Sequence, residues 1–160
     1  MKFSAQEEYG LRCLVTLASE GEGGFLTIPQ ISDREGLTPS HVAKLLSILR
    51  KADFVASTRG QLGGYSLAKP PAQTTVRSVL EALGGRLYGK GFCERHSGLL
   101  PECVHDSTCL IRPLWTTVQE AVDQAIEGVT IQDILDGKLS SRQVVFHASR
   151  EDSVKSASKN

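Results

Sequence analysis

The sequence predicts a mainly α-helical protein that contains a winged helix-turn-helix and one long helix towards its C-terminal end. Apolar residues recur at helical spacing in several segments that begin with capping residues. Two of these segments are joined by a short turn, and a glycine-containing hairpin pattern follows directly after the second. The 160 residues are enough for about one domain with a buried core.

Two helices are expected in the first part of the chain. The first runs from Ser4 to Ala18 and begins with a capping-box pattern before a broad apolar face. Cys13 lies on that face, so we expect it to be a small core residue. After a glycine-rich break, Thr27 caps a short second helix that Gly36 closes.

The third helix and the hairpin form the most basic part of the chain. The third helix is expected from Thr38 to about Ala52, and two β-rich runs at 54–59 and 65–68 enclose several glycines. Between residues 38 and 69, five basic residues accompany one acid, whereas residues 103–137 hold six acids and one arginine. A local basic patch of this kind is typical of a surface that contacts phosphates.

These features predict contact with double-stranded DNA. In a winged helix-turn-helix, the N-terminal residues of the second helix reach base edges, and the wing contacts the backbone or the minor groove. We therefore expect the following side chains to bind DNA: Ser40, His41, Lys44, Arg59 and Gln61. The alternative is a three-helix core whose basic face is solvated and binds no nucleic acid. The hairpin directly after the basic helix favours the DNA-binding interpretation.

The remaining sequence divides into a helix, an aperiodic stretch and two more helices. Thr74 or Thr75 caps a fourth helix, and residues 86–108 then lack periodicity, which in a loop of this length usually indicates function. A long helix from Ile111 to Glu127 and a short one capped by Thr130 follow. The expected organisation is a winged helix-turn-helix domain at 1–83, a ligand-binding loop at 84–110, the long and final helices at 111–137, and a disordered tail at 147–160.

The aperiodic loop holds three of the four cysteines, Cys93, Cys103 and Cys109, in the spacing C-x9-C-x5-C. The first residues lack the pattern of a signal peptide, and no apolar run reaches the ~18 residues of a membrane span. We therefore expect a cytoplasmic protein with reduced thiols and no membrane partner. Thiolates are soft donors that suit iron–sulfur clusters, while the absence of paired C-x2-C units makes zinc the weaker alternative.

The chain resembles a known family at several of these segments. MKFSAQEEYGLRCLVTLA at the start, LRKADFVASTRGQLGGYSLAKP at the hairpin, and a cysteine-bearing loop before a long helix resemble the IscR/NsrR family of bacterial transcription regulators. The resemblance covers about residues 1–135. It implies a homodimeric winged-helix repressor or activator with a palindromic operator. It also implies an iron–sulfur cluster of the 2Fe–2S or 4Fe–4S type near the dimer axis and a dimerisation helix at 111–127.

The resemblance also implies ligands for that cluster. The family spacing is close to C-x5-C-x5-C, so the wider first gap here departs from it. One branch has a histidine three residues after the third cysteine, where this chain has Arg112, which cannot bind iron. Another branch uses a carboxylate near the start of the first helix of the partner subunit, and Glu8 holds the matching position. We therefore expect Glu8 as the fourth ligand, with three reserves: Glu7, His96 and His105.

Two further functions are compatible with the cysteines. In a cluster-free regulator, the three loop thiols would form a disulfide switch. In an enzyme, they would serve nucleophilic or redox catalysis, but the sequence contains no phosphate-binding glycine loop, C-x2-C redox pair or catalytic triad motif. We therefore expect a regulator that is not an enzyme and that senses redox state, nitric oxide or iron–sulfur status.

Overall fold

The computed structural model describes residues 3–58, 63–89, 91–105 and 108–141, and its helices surround one hydrophobic core beside a two-stranded hairpin. Two one-turn 3-10 helices lie at 71–73 and 138–141. The other elements follow in the order α1 (Ala5–Ala18), α2 (Ile28–Glu35), α3 (Pro39–Lys51), β1 (Val55–Thr58), β2 (Gly64–Leu67), α4 (Val76–Leu83), α5 (Phe92–Arg95), α6 (Arg112–Ala125) and α7 (Ile131–Leu135). Within these described ranges, none of the helices has the length and apolar character needed to span a membrane.

The predicted helix starts are confirmed by their capping hydrogen bonds. The Glu7 N–H donates to Ser4 Oγ at 3.2 Å, and the Glu7 carboxylate accepts from the Ser4 N–H at 2.7 Å. Thr27 caps α2 in the same reciprocal way, and Thr38 caps α3. Each cap satisfies N–H groups that have no partner inside the helix, so these short helices begin at defined residues.

The core lies where α1, α2, α3 and α4 meet. Cys13 has no exposed surface, which confirms that it is a core residue. At Gly10, an added Cβ would lie 2.4 Å from Leu83 Cδ2, so α1 and α4 approach closely only because this position is glycine. The largest fully buried side chains are aliphatic: Leu14, Leu17, Leu26, Ile31, Leu45, Leu46, Leu49 and Ile131.

The hairpin is antiparallel, with Val55 opposite Leu67 and Thr58 opposite Gly64. Leu26, between α1 and α2, exchanges backbone hydrogen bonds with Tyr65 at 2.9 and 2.8 Å, which fixes the hairpin to the helical core. No local sequence pattern indicates this added bridge. The predicted DNA-contacting residues Arg59 and Gln61 lie outside the described residues, as does the tail at 147–160.

The chain returns to the core after α6. The Val76 N–H donates to Val129 O at 2.9 Å, and the Ile131 N–H donates to Thr74 O, also at 2.9 Å. Val129 and Ile131 are buried, so α7 packs against the same core as α1. Thr130 caps α7, as predicted.

The irregular stretch at 86–108, which we call the cysteine segment, and α6 lie between the two pairs of residues that form these hydrogen bonds. The segment is irregular, as predicted, except for the four-residue helix α5, which the sequence did not predict. The long helix begins at Arg112, one residue after the predicted start, and ends at Ala125. Its only buried residue is a polar one, Gln119.

Candidate functional site

The first two turns of α3 carry three of the predicted DNA-contacting residues. Ser40 and Lys44 are exposed, while His41 is half-buried because its ring meets the ring edge of Tyr9 on α1, with centroids 5.5 Å apart. Thr38 Oγ1 lies 3.2 Å from Ser40 Oγ, so the cap of the helix also touches this exposed turn. The arrangement places one basic and one hydroxyl side chain where a helix of this type meets base edges.

Glu35 fixes the turn between α2 and α3 against α1. Its side chain is 11% exposed, and it accepts a hydrogen bond from Arg12 Nε at 2.8 Å. Arg12 Nη2 also donates to the Glu35 carbonyl at 2.9 Å, and the Thr16 hydroxyl donates to the Glu35 carboxylate. Because these bonds join the last turn of α2 to α1, they set the angle at which α3 leaves the turn.

The three loop cysteines lie around one region of the segment. Cys93 is on α5, Cys103 follows in the loop and Cys109 lies just before α6, and all three are half-buried free thiols. Cys93 and Cys103 line the same open cleft. Partial burial, and then the nearby Cys93, raise the pKa of Tyr88, with a smaller effect from Cys109.

The donor chemistry of this region fits an iron–sulfur cluster. Three soft sulfur donors lie in or beside one segment, and sulfur is the donor type that such clusters prefer. In the part of one protomer that the structure describes, however, no three His, Cys, Asp or Glu side chains lie close enough together to hold a metal ion. Binding of one cluster by all three cysteines therefore requires the cysteine segment to close further.

The four candidates for the fourth ligand differ in their surroundings. Glu8 is exposed on the first turn of α1, whereas Glu7 is engaged in the capping box. His96 stacks on Phe92 with ring centroids 4.2 Å apart, and its Nδ1 lies 2.7 Å from the Phe92 carbonyl oxygen. His105 is exposed in the loop. Glu8 thus has a free carboxylate at the position that the family resemblance implies.

Sequence reasoning missed a polar network between the cysteine segment and the helices. The Tyr88 N–H donates to Gln119 Oε1 at 2.9 Å, and Gln119 Nε2 donates to Asp123 Oδ1 at 2.9 Å. Asp123 also forms ion pairs with Arg77 on α4, at 3.5 Å, and with Arg86. Tyr88 and Gln119 are 31 positions apart, and Asp123 lies 37 and 46 positions from Arg86 and Arg77, so no local pattern indicates these contacts. The Gln119–Asp123 pair is four positions apart on α6, which is the one part of the network that helical spacing could indicate.

The start of α6 exposes large apolar side chains. Leu110, Ile111, Leu114 and Trp115 are all exposed. Single exposed apolar residues are ordinary, but four at the start of one helix form a patch of the kind that marks an interaction surface.

Comparisons with known proteins agree with this description. The family model named Rrf2 and described as "Iron-dependent Transcriptional regulator" matches residues 3–137. Protein rrf2 of Nitratidesulfovibrio vulgaris is 30% identical over 135 residues, which cover 84% of this chain and 87% of that protein. The transcriptional regulator IscR of Aliivibrio salmonicida is 27% identical, with 84% of this chain and 77% of the relative covered.

Solved structures show the same fold. CymR of B. subtilis, described as the global cysteine regulator, superposes with a TM-score of 0.68 at 26% identity, covering 86% of this chain and 98% of CymR. IscR of T. potens gives a TM-score of 0.68 at 24% identity, covering 91% and 94%. The predicted mainly helical winged-helix fold is confirmed by these likenesses.

Proposed function

Because the chain belongs to the Rrf2 family of transcriptional regulators, which bind DNA and are not enzymes, we propose that it is a homodimeric cytoplasmic repressor controlled by an iron–sulfur cluster. The cluster is held by Cys93, Cys103 and Cys109. The observation that carries this proposal is that three free, half-buried thiols lie in or beside one irregular segment, and that Cys93 and Cys103 line the same cleft. When bound, the cluster supplies an inorganic group that responds to redox state, nitric oxide or iron supply.

Glu8 of the second protomer completes the ligand set. Its carboxylate is exposed at the start of α1, where no capping bond engages it. A carboxylate oxygen is a harder donor than a thiolate and matches cluster iron less well, so this ligand is the first to be lost. Because it comes from the other chain, its loss would remove one connection between the protomers and change how the two α3 helices are placed.

DNA binding uses the exposed first turns of α3 together with the wing. Ser40, His41 and Lys44 face base edges, and Arg59 and Gln61 contact the backbone or the minor groove. The half-sites of a palindromic operator lie ~34–36 Å apart, so a small rotation between protomers misplaces both helices. A difference of ~1–3 kcal/mol between cluster states then gives ~5–150-fold regulation.

The homodimer forms through α6. The exposed apolar residues at the start of this helix need a partner, and a second copy of the same helix supplies an equally apolar surface. Such a pairing also brings the two cysteine segments close to the dimer axis, because Cys109 lies just before α6.

Anaerobic purification tests the cluster directly. We expect a coloured protein that contains iron and sulfide. Cys93→Ser, Cys103→Ser and Cys109→Ser should each lose that absorption, while Cys13→Ala, the matched control in the core, should keep it. Glu8→Ala should keep the three thiolates but change the cluster spectrum. A colourless wild type with stoichiometric zinc would contradict the cluster, and an unchanged spectrum in Glu8→Ala would exclude that ligand.

A second candidate function is a thiol switch without a cluster. It is favoured by the half-buried free thiols and by the similarity to CymR, a protein described as a cysteine regulator. One thiolate would attack a peroxide oxygen to give a sulfenic acid and water, and a second thiol would then displace water to form the disulfide. Iron-free protein whose DNA affinity changes with peroxide would favour this function over the cluster.

A further inference from the structure

Gln119 is unusual among the residues of α6 because it is polar and only 6% exposed. Its neighbours on the same helix include apolar side chains that remain exposed. Burying an amide instead of an aliphatic group lowers stability unless its donors and acceptors find partners. The partners of Gln119 therefore indicate why this residue is buried.

One partner belongs to the cysteine segment. The amide oxygen of Gln119 accepts the backbone N–H of Tyr88 at 2.9 Å. Tyr88 in turn stacks edge-on against Phe92, with ring centroids 5.0 Å apart, and Phe92 directly precedes Cys93 on α5. A movement of Cys93 would therefore act on Tyr88, the residue whose backbone N–H is bound by Gln119.

The other partner leads to the winged-helix core. The amide nitrogen of Gln119 donates to Asp123 Oδ1 at 2.9 Å, and the Asp123 carboxylate pairs with Arg77 and Arg86. Arg77 is on α4, whose residues Val76 and Val79 are buried against α1 and α3. The network therefore connects the segment that carries Cys93 to a helix of the DNA-binding domain.

We propose that Gln119 is a positioning residue that couples the state of the cysteine segment to the winged helix. This inference rests on the proposed function, because it assigns the route by which that site reaches the DNA reader. The amide cannot keep both partners if Tyr88 moves away from Asp123. A shift of the cysteine segment must therefore either carry Asp123 and α4 with it or leave a buried polar group without a partner, which is costly.

The test compares Gln119→Met with wild type. Methionine keeps the length and volume of the side chain and removes both hydrogen bonds. Gln124→Met is the matched control, because Gln124 is an exposed glutamine on the same helix. DNA affinity is measured for cluster-loaded and cluster-free protein on a duplex selected from a random pool by the wild type, and the ratio of the two affinities is the readout.

We expect a wild-type ratio of ~5–150-fold, which Gln124→Met retains. In Gln119→Met the ratio should fall at least about threefold towards one, while the cluster absorption per iron stays unchanged. A residue that only supported the fold would lower the affinity of both states together and leave the ratio intact. Asp123→Asn, which keeps an acceptor for Gln119 but removes the ion pairs with Arg77 and Arg86, should also reduce the ratio.

The outcomes separate the two proposals. A wild type whose affinity does not depend on the cluster overturns the sensing function and this coupling with it. A responsive wild type with the same ratio in Gln119→Met overturns the coupling alone. If Gln119→Met does not fold, Asp123→Asn decides: a wild-type ratio in that variant overturns the coupling, and a reduced ratio supports it.

Discussion

Replacing Leu114 with asparagine tests whether α6 is the dimerisation helix. Leu114 is 56% exposed in the single chain. Complete burial of a leucine side chain contributes ~1.5–3 kcal/mol, so covering this exposed part contributes about 0.8–1.7 kcal/mol for each protomer. A two-fold interface uses the residue twice, which gives ~1.7–3.4 kcal/mol for each dimer. At ~1.4 kcal/mol per factor of ten, the dimer dissociation constant of Leu114→Asn should rise about 15- to 250-fold.

Sedimentation equilibrium over a range of concentrations measures this constant. Leu139→Asn is the control, because Leu139 is also a leucine, is 42% exposed and lies outside α6. Urea unfolding of both variants checks the monomer, in which an exposed substitution should change the free energy of unfolding by no more than ~0.5 kcal/mol. Equal dissociation constants for wild type and Leu114→Asn would refute the assignment of α6 as the dimer interface.

Other perturbations test the recognition helix and the core thiol. Lys44→Ala should weaken DNA binding about equally for all sequences, and it should lower by about 1 the slope of the logarithm of the binding constant against the logarithm of the salt concentration. Lys138→Ala should leave both the affinity and this slope unchanged. Fluorescence anisotropy at several salt concentrations measures the slope, and an unaltered slope in Lys44→Ala would argue against a phosphate contact. Thr38→Ala should lower the free energy of unfolding by ~0.5–2 kcal/mol, and Thr38→Ser should lower it by less. Equal urea unfolding curves for the wild type and these two variants would mean that the cap is dispensable. Burial raises the pKa of Cys13 to about 11, so iodoacetamide should modify the three loop cysteines of the cluster-free protein but not Cys13, as peptide mass spectrometry would show. The stability that comes from the neutral Cys13 thiol is complete below the unfolded thiol pKa and is lost as the pH rises towards 11, so the alkaline decline should be smaller in Cys13→Ala.

Local chemistry in the sequence was sufficient to predict most of the helices. Ser4, Thr27, Thr38 and Thr130 all cap helices where their side chains indicated, because a cap depends on hydrogen bonds only three residues away. The hairpin was equally visible, since alternating β-rich runs around glycines are a local pattern. In contrast, the four-residue helix α5 has too few residues to show a period.

Contacts between distant parts of the chain were not predictable in this way. The Leu26 bridge to Tyr65 joins residues 39 positions apart and uses only backbone atoms, which leave no side-chain signature. The burial of Gln119 depends on its contact with Tyr88, 31 positions away, which forms only when the cysteine segment packs against α6. For the candidate cluster site, the cysteines were identifiable from residue type, but the cleft that Cys93 and Cys103 share was not.

The return of the chain to its own core makes the cysteine segment and α6 an insertion. Hydrogen bonds at Val76–Val129 and Thr74–Ile131 fasten both ends of the excursion that contains the cysteines and α6. A protease cut between residues 86 and 105 would therefore leave two fragments that stay joined through the core. The same topology allows the inserted part to be exchanged for another between two fixed anchor points, while the winged helix keeps its architecture.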